Sequence, residues 1–206
     1  MKNDNNKKIL LLKNHIKSFH AAALMSAEKL TPQYVAEGDA WPIALSCQNI
    51  VFTYPHNNNS DYNMLYAYSA NACFAIELRL KLVIFLETNE WAVVRKCGHN
   101  LVSLMERISP ESKKIMRAAF DEEKKKTKEF YSEPQKKLKE LSDIPKKLRS
   151  CLQLNLHQTV QFINGAFEKW RYHFEGNKGL TGIYAYHETA TAIDQLISIL
   201  EKSKHD

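Results

Sequence analysis

The chain has 206 residues, 44% of them apolar and 25% charged, enough to bury one substantial core and to favour a single domain over 1–206. The net charge is +6, and Lys113 to Arg149 holds 13 Lys and Arg against 7 Asp and Glu, so that one stretch carries the whole excess. With only 6 Gly and 6 Pro, scattered rather than clustered, a turn-rich β class is excluded and an all-α class is expected.

In chain order, residues 7–30 read as a first helix with Ile9, Leu12, Ile16, Phe19, Ala23 and Met25 inward, ending before Thr31-Pro32. A short helix or connector follows over Thr31 to Ala40. Ile43, Leu45, Ile50 and Val51 then suit a short buried helix. A strand over Ile50 to Tyr54 also fits, but a lone strand has no partner. His56 to Ser60 is a loop, after which Ser60 or Asp61 caps a long central helix.

In that helix Leu65, Tyr68, Ala72, Ala75, Ile76, Leu80, Val83 and Ile84 fall at steps of three and four. Glu77, Arg79, Lys81 and Glu87 interrupt it too often for a bilayer crossing. Gly98 breaks the pattern, and Leu101, Leu104, Met105 and Ile108 resume it with Asn100 as a cap. Ser109-Pro110-Glu111 starts another helix through capping residue, proline at the first position and acid near the positive end of the dipole.

Asp121 to Glu129 has no apolar face, and residues of about 121–145 read as an extended charged arm on a core of about 1–120 and 146–206. A long helix follows from about Lys146 to Phe174, with Leu148, Cys151, Leu152, Leu156, Val160, Ile163, Phe167 and Trp170 inward. Gly176, Gly179 and Gly182 form a turn before a closing helix over Ile183 to Glu201, with Ile193, Leu196, Ile197 and Leu200 inward.

Cys47, Cys73, Cys97 and Cys151 include no Cys-x-x-Cys pair. They read as buried free thiols in a reducing compartment, with no zinc site and no cofactor implied. The apolar run near the N-terminus is too short for a signal peptide, so a cytoplasmic location is expected, with no membrane partner.

The densest polar constellation is Arg171-Tyr172-His173-Phe174-Glu175, where Arg171 and Glu175 share a helix face at i and i+4. A histidine can move a proton near neutral pH and an arginine can hold charge developing on phosphate oxygens, so Arg171 and His173 are the candidate catalytic pair. The same residues could tie helices together, and His99 could pack against a neighbouring helix end. Lys124, Lys125 and Lys126 lie in the basic stretch and are candidates for contact with RNA or a nucleotide, although a solvated helical face has the same composition.

Three segments together resemble the HEPN superfamily of small helical bundles: AIELRLKLVIFLE at Ala75 to Glu87, GHNLVSLMERI at Gly98 to Ile108 and FEKWRYHFE at Phe167 to Glu175. They are most similar to a bacterial branch with a Glu-x-x-x-Lys helix (Glu77, Lys81), a Gly-His-Asp/Asn-Leu helix start (Gly98, His99, Asn100, Leu101) and an Arg-Tyr-x-x-Glu helix end (Arg171, Tyr172, Glu175). The resemblance implies a HEPN-like helical bundle, commonly a homodimer, in a defence or toxin-type system with a cognate antitoxin or other partner, often acting as a metal-independent ribonuclease. In such a protein Arg171 and His173 would carry the chemistry, with Glu77, His99, Asn100 and Glu175 shaping the pocket. The superfamily's usual signature, Arg then His after four to six residues, is not met: three residues separate Arg95 from His99, one separates Arg171 from His173, and seven separate Arg149 from His157. A non-catalytic module that binds a nucleotide or a partner protein is the alternative.

Overall fold

Seven helices and a small sheet are seen among the described residues, in the order α1 (Lys2–Lys29), β1 (Pro42–Leu45), β2 (Ile50–Thr53), α2 (Ser60–Thr88), α3 (Trp91–Lys96), α4 (Leu101–Arg107), α5 (Pro110–Lys126), α6 (Leu156–Arg171), β3 (Thr181–Tyr184) and α7 (Tyr186–Lys202). The computed structural model describes residues 2–29, 42–45, 50–53, 60–126, 154–171 and 181–204, with side chains over 4–26, 67–126, 154–164 and 185–204. Helices dominate, as the composition predicts.

The expected stripe of α2 is buried at Tyr68, Ala72, Ala75, Ile76, Leu80, Val83 and Ile84, and Cys73, Leu82, Phe85 and Leu86 are buried as well. Leu65 lies outside the described side chains. A helix buried on all sides must be enclosed by its neighbours. Here α1 lies along α2, α7 packs on α2 and α5, and α6 packs on α2 and α4. Complete burial of each large side chain contributes about 1.5–3 kcal/mol, so Ile76, Leu80, Leu82 and Phe85 make α2 the main source of core stability.

The neighbours follow the predicted faces with particular exceptions. In α1, Ile16 and Ala23 are buried and Ile9, Leu12 and Phe19 pack against the core, but Met25 is 62% exposed. Asn100 caps α4 by accepting the Ser103 N–H at 2.9 Å, and the Ser109 hydroxyl accepts the Ser112 N–H at 3.2 Å at the start of α5. The α6 helix begins at Leu156, later than expected, because Asn155 and Gln158 cap each other: Gln158 N–H donates to Asn155 Oδ1 at 2.9 Å and Asn155 N–H to Gln158 Oε1 at 3.0 Å.

The sheet is an addition to the expected all-helical architecture. The β2 strand pairs antiparallel with β1 on one side, Ile43 opposite Phe52, and with β3 on the other, Val51 opposite Ile183. The segment from Ile50 therefore is a strand and not a short helix. Its partners are a neighbouring segment and one far along the chain. The closing helix correspondingly starts at Tyr186 and not at Ile183. It follows β3 directly through Ala185, which turns the chain in the left-handed region at φ 50° and is fully buried. Most of the expected charged arm lies outside the described residues. No described helix is long and apolar enough to cross a membrane.

Candidate functional site

Glu77 sits mid-way along α2, where its neighbours are apolar and its own side chain is almost fully buried. Burying a carboxylate is costly unless it is paired, and two donors approach it. Lys81, one turn later on α2, places Nζ 2.7 Å from Glu77 Oε1. His99, from the loop before α4, places Nδ1 3.0 Å from the same oxygen. The His99 side chain is 65% exposed and that of Glu77 5% exposed.

An ionised carboxylate only accepts hydrogen bonds, so Nδ1 of His99 carries the proton, and in the neutral ring Nε2 keeps its lone pair. The loop is held from two sides. Asn100 caps α4, and Asn164 of α6 accepts the Leu101 N–H at 2.7 Å. A side chain at Gly98 would meet nothing within 4 Å, so the space beside His99 is open. Below Glu77, the buried Cys73 donates its S–H to the Ile163 carbonyl at 3.7 Å. Burial first, and the Glu77 charge second, push its thiol well above the usual range and make it an unreactive core group. Cys97 is likewise a buried free thiol, and Cys47 and Cys151 lie outside the described side chains.

The structure thus joins the first two of the three motifs at one point: Glu77 and Lys81 from α2 meet His99. Asn100 stands beside them as a cap, its side chain engaged with the backbone. The third motif is not described in the same detail. Arg171 ends α6 with its side chain outside the description, and His173 and Glu175 lie outside the described residues altogether.

The lysines of α5 separate from one another. Lys124 turns inward, donating to the Leu154 carbonyl at 2.9 Å with its ammonium 5.6 Å from the Phe120 ring centre. Burial lowers its pKa, partly offset by Glu188 and Asp121. Lys126 pairs with Glu123 at 2.8 Å and Glu122 at 3.2 Å. Lys125 is exposed with no ion pair shown, and it alone of the three offers an uncommitted cation to an anionic partner.

A second polar cluster joins α1, α2 and α7. The Arg79 guanidinium, 4% exposed, clamps Asp194 through Nε to Oδ1 at 2.9 Å and Nη2 to Oδ2 at 3.0 Å, and donates to the Ala75 carbonyl at 3.2 Å. Its charge also acts on the Tyr186 hydroxyl, which lies 2.7 Å from His20 Nδ1. Burial pushes the Tyr186 phenol up to about 12 and lowers His20, with Arg79 adding to the second effect. These groups tie three helices together. Arg79 stands out in the sequence only as a charge inside an apolar run, and nothing local pairs it with Asp194.

An open groove of about 900 Å3 lies elsewhere, between the start of α1 and the ends of α2 and α7, lined by Ile9, Leu10, Leu86, Lys13, Glu201 and Lys204 among others. None of the candidate catalytic or binding residues lines it. Among the described residues no cluster of three or more His, Cys, Asp or Glu is placed to hold a metal ion. Comparison with family models, with curated proteins and with solved structures gave no match.

Proposed function

We propose that this chain is a HEPN-like helical protein of a bacterial defence or toxin-type system that acts on RNA without a metal ion, with His99 as the proton-transferring group. One observation carries the reading: a buried carboxylate, Glu77, holds Nδ1 of an exposed histidine and leaves Nε2 to solvent beside an open loop. A carboxylate behind an imidazole fixes its tautomer and favours the imidazolium that forms when it takes a proton.

On RNA the chemistry is a transesterification. Nε2 of His99 takes the proton of a ribose 2′-hydroxyl, the 2′-oxygen bonds to phosphorus, and the bond to the 5′-oxygen breaks as that oxygen receives a proton from a second acid. Arg171, His173 and Glu175 enter the reading from the sequence alone, as phosphate stabiliser, second acid and pocket residue. A homodimer and a cognate antitoxin or defence partner enter it through the resemblance.

The test is incubation of the purified chain with total RNA and a tRNA pool in chelator. Wild type, His99→Ala and the double substitution Arg171→Ala with His173→Ala are compared. Cleavage that survives chelator and disappears in His99→Ala is expected. The unmatched Arg and His spacing favours a second reading, a non-catalytic module for a nucleotide or partner protein. A folded wild type that binds RNA or a nucleotide but cuts nothing would select it.

A further inference from the structure

Lys81 and His99 end on the same atom. Lys81 Nζ lies 2.7 Å and His99 Nδ1 3.0 Å from Glu77 Oε1, so the two nitrogens are no farther apart than those contacts laid end to end. The Lys81 side chain is 14% exposed and that of Glu77 5%, whereas His99 faces solvent. A carboxylate this buried would drift toward its neutral form without a charged partner. If it did, it would become a donor as well as an acceptor and could no longer dictate which ring nitrogen of His99 carries the proton.

The ammonium has a second effect. A carboxylate alone beside an imidazole favours the imidazolium, and a positive charge sharing the same oxygen opposes that preference. Lys81 is on α2, inside the core, while His99 is on the loop before α4.

We propose that Lys81 is a positioning residue for His99, keeping Glu77 ionised so that Nδ1 stays protonated and Nε2 free, and offsetting the carboxylate's pull on the imidazolium. This rests on the reading of His99 as the proton-transferring group, but the contact itself can be tested without RNA.

The experiment is an NMR titration of the His99 ring in the full chain, with its signals assigned by their loss in His99→Gln. Wild type is compared with Lys81→Met, Lys81→Arg and Glu77→Gln. In Lys81→Met the His99 midpoint moves by about 0.5–1 pH unit: it rises where Glu77 stays ionised and faces the imidazole alone, and it falls, with loss of the Nδ1-protonated tautomer, where Glu77 turns neutral. Lys81→Arg returns it toward the wild-type value. In Glu77→Gln the midpoint falls below that of Lys81→Met, and the ring loses its preference for the Nδ1-protonated tautomer. A folded Lys81→Met whose midpoint is unchanged, or lower with the Nδ1-protonated tautomer kept, overturns the proposal. If that variant does not fold, Lys81→Gln against Lys81→Arg makes the same comparison, and equal midpoints overturn it. RNA cleavage measured in parallel separates the two claims. A shifted midpoint in a chain that never cuts RNA removes the catalytic reading and leaves Lys81 assigned. Cleavage lost in His99→Ala with no shift in Lys81→Met removes Lys81 alone.

Discussion

At the scale of single residues, the cluster around Tyr186 makes a clear statement about pH. Its hydroxyl lies 2.7 Å from His20 Nδ1, and as a donor it pairs with a neutral ring that presents a lone pair there. Neutral His20 is the form that fits. Burial and the Arg79 charge lower its pKa, His187 adds to this and Asp194 opposes it. With the folded value below the unfolded one of about 6.5, His20 contributes stability that is complete above about pH 6.5 and is lost as pH falls through the folded value. The melting temperature of wild type should therefore drop more between pH 7 and pH 5 than that of His20→Gln, whose amide oxygen can accept the same proton. Parallel thermal curves for the two proteins would exclude His20 as the group. The Arg79 clamp makes a second prediction. Asp194→Asn leaves a buried guanidinium without its counter-charge and should cost about 1.5–3 kcal/mol in denaturant unfolding, the lower part of the range being expected because Asp194 is half exposed. A loss below about 0.5 kcal/mol, the range of an ordinary surface substitution, would mean that Arg79 finds other acceptors.

At the scale of elements, what could be read from the sequence depended on whether the signal was local. The α2 helix was legible because its apolar residues persist over many turns, and the starts of α4 and α5 were legible because Asn100 and Ser109 act within three residues of themselves. Met25 was misplaced because an apolar residue at nearly the right step can still face outward late in a long helix. The start of α6 was misread because Leu148 to Leu152 continue its apolar rhythm, while the decisive feature is the reciprocal Asn155 and Gln158 pair. Asn155→Ala should accordingly cost about 1 kcal/mol, read as a lower denaturant midpoint at constant slope. No change would assign the helix start to packing of Leu156. The sheet was hidden for another reason. Four residues are too few to show a period, and the partner that completes β2 lies far along the chain. The same holds at the site, where the contact of Glu77 with His99 spans 22 positions and that of His20 with Tyr186 spans 166. The motifs named Glu77 and His99, but only the packing of α2 against the loop before α4 makes them partners.

At the scale of the whole molecule, the charge excess between Lys113 and Arg149 is not a uniform basic surface where it is described. On α5, Lys124 serves the packing of α5 against the start of α6 and Lys126 is taken up by Glu122 and Glu123. If RNA contacts this region, Lys125→Gln should reduce the salt dependence of its affinity by about one ion's worth, while Lys124→Met should lower stability and leave the slope nearly unchanged. The reverse pattern would mean that Lys124 leaves its buried position on binding. The central claim concerns the middle of α2, where a buried charge stands behind an exposed histidine. Its most direct test is the rate of RNA cleavage by Glu77→Gln beside wild type and His99→Ala. The substitution keeps the side-chain shape and removes only the charge that orients and supports the ring. The account predicts a folded variant cleaving about 10- to 100-fold more slowly than wild type, with His99→Ala inactive. A Glu77→Gln protein as fast as wild type, or a folded wild type that cleaves no RNA, would contradict it.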